Sequence, residues 1–318
     1  MNSGIPAMPL SCGLERKIGD QLLIPCPMHA PFTFTKIVII QSLEPDERQT
    51  GAILRDYLAG LNSQRDQPVP IEFVLCESVV HFREIILRLV DECKSGEIPL
   101  LHVECHGDEN DGLQFENGSE LAWRDAAELL RQLNIACEYN LFASFAACFG
   151  AYFLGAIAAY STSPCYAMLA PTGPVYPDEI ETGFKQFYAD LFQTWDAGIS
   201  VRRLQRRRLV NGRWFAETAE SWFERVVIDY VRVHCTHKAL KKRIRKIYRE
   251  ALAAGKRQSI GYLKRMAIRR NKRTYLGDYF MEFFAIAQIP DNRGRFLALF
   301  NRMKRRLEDI WLQPEYRR

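Results

Sequence analysis

The stretch Ile98-Pro99-Leu100-Leu101-His102-Val103-Glu104-Cys105-His106-Gly107-Asp108 decides how this chain is read. Its first eight residues are mostly apolar, as in a strand buried on both faces, and polar residues with a glycine follow at once. Asn140–Ala147 (NLFASFAA) repeats the form, breaking off at Cys148-Phe149-Gly150. A His and a Cys therefore each stand where a buried strand stops. Working outward, Thr35–Gln41, Pro70–Cys76 and Cys165–Ala170 read as three further strands. Helical stripes fall at Arg48–Leu61, His81–Cys93, Leu121–Leu133, about Cys148 to Tyr160, and Thr182–Trp195. Strand and helix alternating over 34–198 predict an α/β domain whose mostly parallel sheet is covered on both faces. In such sheets chemistry gathers beyond the carboxyl ends of the strands.

From about residue 200 strand signals vanish. Helical patterns appear at Trp214–Val233, Lys238–Ala254, Ile260–Ile268, Tyr279–Ile289 and Phe296–Leu312. Charge changes sign at the same place: residues 1–200 hold 12 Lys/Arg against 27 Asp/Glu, and residues 201–318 hold 31 against 11. That asymmetry suggests two modules with different partners. The expected organisation is an irregular arm at 1–33 with a short strand at Gln21–Ile24, the α/β domain at 34–198, and a basic all-α accessory domain at 199–318.

Nothing near 18 consecutive apolar residues occurs, which argues against a membrane span. Met1–Leu10 shows no basic region leading into an apolar core, so no signal peptide is read and a cytoplasmic protein is expected. The nine cysteines are scattered without a Cys-x-x-Cys pair, which speaks against a zinc ribbon and for reduced thiols in a reducing compartment.

Cysteine proteolysis asks for this pairing of strand ends. A thiolate at Cys148 attacks the scissile carbonyl, and His106 takes the thiol proton and later protonates the leaving amine. The oxyanion needs fixed N–H donors, for which Gly107 and Cys148 are the candidates. A helix starting at Cys148 would also favour the thiolate through its positive end.

The pattern resembles the caspase-like cysteine peptidases, and within them the CHAT type. His102-x-x-x-His106-Gly107 is similar to that family's histidine motif, including the extra His four positions earlier. Asp111–Phe115 with Asn117–Leu121 resembles the small hairpin after the histidine. Ala147-Cys148-Phe149-Gly150 resembles the cysteine motif, and 165–192, with Thr182, Phe184, Phe187 and Tyr188, resembles the strand and aromatic helix that close the domain. The match spans about 160 residues in the family's order. The resemblance implies a caspase-like fold, His106 as general base, Cys148 as nucleophile, Gly107 as oxyanion donor, a protein substrate and no cofactor. It also implies a regulated effector of bacterial stress or antiviral defence. One position departs: relatives that cut after Arg or Lys carry an acid two places before the nucleophile, where this chain has Ala146. Basic specificity is therefore not expected, unless Asp178 or Glu179 supplies the charge.

Other readings weigh beside this one. His102, Glu104 and His106 share one face of a strand and could bind zinc, although His102 on a covered face is more often a core histidine that helps orient the loop. Basic clusters between residues 202 and 306 suit a nucleic-acid or protein activator, or docking on the acidic module. A non-catalytic caspase-like adaptor using those helices is the rival function.

Overall fold

A computed structural model describes residues 32–63, 65–156, 161–255 and 259–316. The expected irregular arm, apart from its last residues, and its short strand lie outside the described residues. The described residues fall into two compact units, one ending at Ala219 and the other beginning at Glu220.

The first unit is an α/β layer structure. Its strands are β1 (Lys36–Ser42), β2 (Ile71–Leu75), β3 (Pro99–Asp108), β4 (Gly112–Gln114), β5 (Glu120–Leu121), β6 (Phe142–Ala146), β7 (Ala167–Pro171) and β8 (Trp214–Thr218). The main sheet has the order β2-β1-β3-β6-β7-β8, parallel except for β8, which pairs antiparallel with β7. Helices α1 (Thr50–Asn62), α2 (Val79–Cys93), α3 (Trp123–Ala136), α4 (Pro177–Thr194) and α5 (Ala197–Leu204) complete the unit. Every residue of β1, β6 and β7 is buried, as continuous apolar runs covered on both faces require. On one face Phe184 of α4 packs edge-on against His102 of β3, ring centroids 4.4 Å apart. On the other, Trp123 of α3 meets Phe145 of β6. The short hairpin expected after the histidine forms, with β4 antiparallel to both β3 and β5.

Two expectations are corrected. Trp214–Thr218 is a strand, where a helix was read from Trp214 onward. The unit boundary accordingly falls at Ala219, beyond the expected 198. The strand is fixed by register, Pro171↔Trp214 through Ala167↔Thr218. It is also fixed by burial of Trp214, whose ring meets Phe184 edge-on at 5.2 Å. The turn before it is Asn211-Gly212, with Gly212 at φ +109°, a conformation that favours glycine. With this boundary the arginines at 202–213 belong to the first unit. Residues 1–219 then hold 18 Lys/Arg against 28 Asp/Glu, and 220–318 hold 25 against 10.

The second unit is described by α6 (Ala219–His234), α7 (His237–Ala253), α8 (Ile260–Arg269), α9 (Tyr275–Phe283), α10 (Asn292–Arg295) and α11 (Leu297–Trp311), with a π-helical turn at Arg270–Thr274. Phe223 centres its core, with Tyr279, Phe280, Phe283 and Phe284 packed around it. No described helix of the chain is long and apolar enough to cross a membrane.

Two predictions follow from burial. Trp214→Ala removes the side chain that joins α4 to β8 and should lower stability by about 4 kcal/mol, read from the denaturant midpoint. A loss under about 1 kcal/mol would make β8 peripheral to the first unit. In the second unit, burial pushes the Glu220 carboxyl up to about 7, opposed by Arg295 and Arg302 and reinforced by Glu224. Its folded value lies above the ordinary carboxylate value of about 4.3. Its contribution to stability is therefore complete below that value and lost as pH rises through about 7. Melting of this unit should occur at lower temperature at pH 8 than at pH 5, and Glu220→Gln should flatten that slope.

Candidate active site

Parallel pairing of β3 and β6 runs from Leu100↔Phe142 to Glu104↔Ala146. His106 and Cys148 each lie two residues beyond the last pair of that register. The approach is so close that a Cβ on Gly107 would collide with the Cys148 carbonyl oxygen. Glycine at 107 is thus required by the neighbouring strand end, whatever else its N–H does. Gly107 pairs with Leu113 of β4.

Cys148 is half-buried, whereas Cys76, Cys93, Cys105, Cys137, Cys165 and Cys235 are buried. Burial pushes the thiol of Cys76 up to about 11 and that of Cys235 to about 12. Burial likewise raises Cys105 and Cys165. Those groups stay protonated thiols, the inert form. Among the described cysteines, Cys148 is the one that is not buried. Its Sγ accepts a hydrogen bond from the Val175 N–H at 3.4 Å. The segment bearing Val175 is tied to the turn before β8. The Thr172 N–H donates to Arg213 O at 3.0 Å, and the Arg213 N–H to Thr172 Oγ1 at 3.1 Å.

The expected α-helix from Cys148 is corrected to a 3₁₀ turn at Gly150–Ala156, with 157–160 outside the described residues. Cys148 and Phe149 form the bend before it, so no α-helix dipole opens at the sulfur. Phe149 has φ +57°, a left-handed conformation that costs a non-glycine residue about 1 kcal/mol or more. It is held by the Phe149 N–H donating to Gly173 O and by the Gly150 N–H donating to Ala147 O, each at 3.2 Å. Strain of this kind aims a residue at the strand tip. Among the described residues the Cys148 N–H has no acceptor.

The His106 side chain is about half exposed, and its Nε2–H donates to the Glu47 carboxylate at 2.8 and 3.1 Å. An ionised carboxylate only accepts, so this bond places the imidazole proton on Nε2 and leaves the lone pair on Nδ1. Glu47 sits in the loop between β1 and α1. The Glu44 N–H donates to Glu47 Oε2 at 2.8 Å, and Gln49 Nε2 donates to the carbonyls of Glu44 and Glu47 at 2.7 and 3.0 Å. The sheet grows from β1 to β2 on one side and from β1 to β3 on the other. Glu47 and His106 thus come from the two loops at the topological switch point, where α/β sheets hold ligands. No hydrogen bond joins His106 to Cys148 directly.

Sequence reasoning missed Glu47. The signal was there: Glu44-Pro45-Asp46-Glu47 follows a buried strand at its carboxyl end, the same rule that singled out His106 and Cys148.

His102 and Glu104 do not join His106. Both are buried, with His102 Nε2 donating to Glu104 Oε1 at 3.0 Å and Tyr188 Oη 3.4 Å from His102 Nδ1. Burial raises the Tyr188 phenol, which keeps it a donor. The other Glu104 oxygen accepts from the Thr50 hydroxyl, which starts α1 directly after the Glu47 loop. Among the described residues no group of three His, Cys, Asp or Glu is placed to hold a metal ion. Geometry therefore does not support the zinc reading: His102 and Glu104 bond one another, and His106 turns to Glu47.

Of the acids considered for a basic substrate side chain, Glu179 is committed: its carboxylate accepts from the Tyr176 and Val210 N–H groups at 3.0 and 2.7 Å. Asp178 pairs with Arg48, which also bonds Glu181 at 2.6 Å. A cavity of about 160 Å³ beside them is lined by Asp178 and Glu179 but equally by Arg207 and Arg208. Such a mixed lining favours neither sign of charge.

No family model matches the chain, and no curated protein matches it. The site thus rests on its own geometry, which separates support from chemistry. Glu104→Ala leaves His102 and Thr50 facing a buried void and should destabilise by about 3 kcal/mol. Glu47→Gln, at the half-exposed rim, should shift stability by less than about 1 kcal/mol. Thermal denaturation of the two variants side by side checks the contrast, and equal losses would contradict it.

Proposed function

We propose that the first unit is a cysteine endopeptidase of caspase-like type, with Cys148 as nucleophile, His106 as general base and acid, and Glu47 orienting the imidazole. One observation carries the reading. Cys148, unlike the buried cysteines, is half open, and its backbone touches the glycine that follows a histidine whose ring is fixed by a carboxylate. Nucleophile, base and orienting group are the three parts that acyl transfer requires. The ordered resemblance of residues 34–195 to the CHAT-type peptidases supports it.

In the proposed reaction the Cys148 sulfur attacks the scissile carbonyl carbon as its proton passes to His106. The Cys148 N–H, free of any described acceptor, faces the developing oxyanion, with Gly107 as the second donor. The tetrahedral species collapses to a thioester at Cys148 while His106 returns the proton to the leaving amine. Water, deprotonated by His106, then hydrolyses the thioester and restores the thiol. Glu47 holds the tautomer throughout and stabilises the imidazolium. The substrate is a protein, and the regulated effector role is the one the resemblance implies. The missing His106–Cys148 hydrogen bond suits a site that tightens when substrate binds.

The test compares N-terminal labelling proteomics from cells expressing wild type, Cys148→Ala, His106→Ala and Glu47→Gln, with alkylation rates of purified protein. New N-termini should appear with wild type only, be absent with Cys148→Ala, and fall about 100-fold or more with His106→Ala. Iodoacetamide should modify Cys148 ahead of the six buried thiols, more slowly in His106→Ala and Glu47→Gln. A Cys148 no more reactive than the buried cysteines would end the peptidase reading.

A further inference from the structure

Residues 237–274 hold 15 Lys/Arg and a single acid, Glu250. That segment is α7, the connection, α8 and the π-helical turn. The two helices pack against each other, yet α7 buries only Leu240 and Ile244, and α8 buries nothing. Lys238, Lys241, Lys242, Arg245, Lys246 and Arg249 are all exposed. Five of them, all but Lys246, recur at three- and four-residue spacing along one side of α7. On α11, by contrast, Arg302 and Arg306 pair with Glu224. On α7 Glu250 reaches Lys246 only at 3.8 Å. Like charges stacked at i, i+4 repel, so this face is held at a cost that the fold itself does not recover.

We infer that the α7–α8 hairpin is a nucleic-acid docking surface that tracks the phosphate backbone. The stripe from Lys238 to Arg249 is about 16 Å long at 1.5 Å per residue and presents five exposed cations to phosphates. A continuous same-sign stripe suits a chain of regularly spaced anions. On α8 the exposed Tyr262 and Met266 lie on the side that also carries Arg265 and Arg269, a mixture of ring, thioether and guanidinium on which bases stack. A membrane-lying α7 would show the reverse arrangement, with its apolar face open. Here the apolar face of α7, Leu240 and Ile244, is turned into the protein. The inference stands apart from the peptidase reading and does not depend on it.

Fluorescence anisotropy of the full chain with a labelled 30-base-pair DNA duplex, and with the matching single strand, between 50 and 300 mM salt tests it. Binding should weaken linearly in log–log form with a slope near −4.5 for the duplex, about 0.9 for each of five phosphate contacts. Lys241→Ala/Arg245→Ala should weaken binding about 10- to 30-fold at 150 mM salt and reduce the slope by about two. The control, Lys304→Ala/Arg305→Ala on α11, should leave both unchanged. All four positions are exposed, and unaltered melting confirms that the variants fold. No binding to either oligonucleotide at 50 mM salt would overturn the inference. So would equal losses in the two double variants, or binding to anionic vesicles alone.

Discussion

A carbonyl oxygen and a glycine set the spacing on which the rest of the site depends. The Cys148 carbonyl stands where a side chain on residue 107 would begin, so β3 and β6 leave the sheet in contact and not merely side by side. Any Cβ there would push apart the two strand ends, and with them the imidazole and the sulfur. Everything else around the site holds that closeness in place. The left-handed Phe149 turns the chain sharply after the cysteine, Gly173 accepts its N–H, and the Val175 N–H reaches back to the sulfur. That returning segment is anchored by the turn before β8, so a strand far along the chain takes part in framing the thiol.

A second layer lies beneath. The buried chain Tyr188–His102–Glu104–Thr50 crosses from α4 through β3 to the first residue of α1. A half-satisfied version would be worse than an apolar core, which is why its members act as one unit. It ends where α1 begins, three residues after Glu47. Polar burial in the core and ring orientation at the surface are thereby linked through a short, internally bonded loop.

The strands of the parallel sheet were legible because each is a continuous apolar run bounded by polar or turn residues, and β1, β3, β6 and β7 fall within two or three residues of the expected ends. His106 and Cys148 were legible from the same runs, as the residues where burial stops. Other features were hidden for physical reasons. In β8, Trp214 and Phe215 share helical spacing with Ala219, Trp222 and Phe223, so periodicity merged a strand with the helix that follows. Only Asn211-Gly212 marked the turn. The 3₁₀ turn after Cys148 has the composition of a helix, and its tightness comes from packing that composition does not encode. Glu47 stands at the carboxyl end of a legible strand, but its pairing with His106 was hidden, because it depends on which loops the sheet order brings together, and strand order is a property of pairing, not of local pattern.

The corrected boundary changes how the charges of the chain are to be understood. Six arginines move to the first unit, yet its strand-end loops remain acidic, with Glu44, Asp46 and Glu47 after β1 and Asp108, Glu109 and Asp111 after β3. Backbone N–H groups of Asn110 and Asp111 hold the Asp108 carboxyl below the ordinary range, so it stays charged in mildly acidic solution. A mouth of that sign repels polyanions and attracts cationic chain segments at distances up to about a Debye length. The α7–α8 hairpin has the opposite sign and nearly no internal acid to balance it. The two surfaces therefore attract charges of opposite sign, cationic chain segments at the strand-end loops and polyanions along α7.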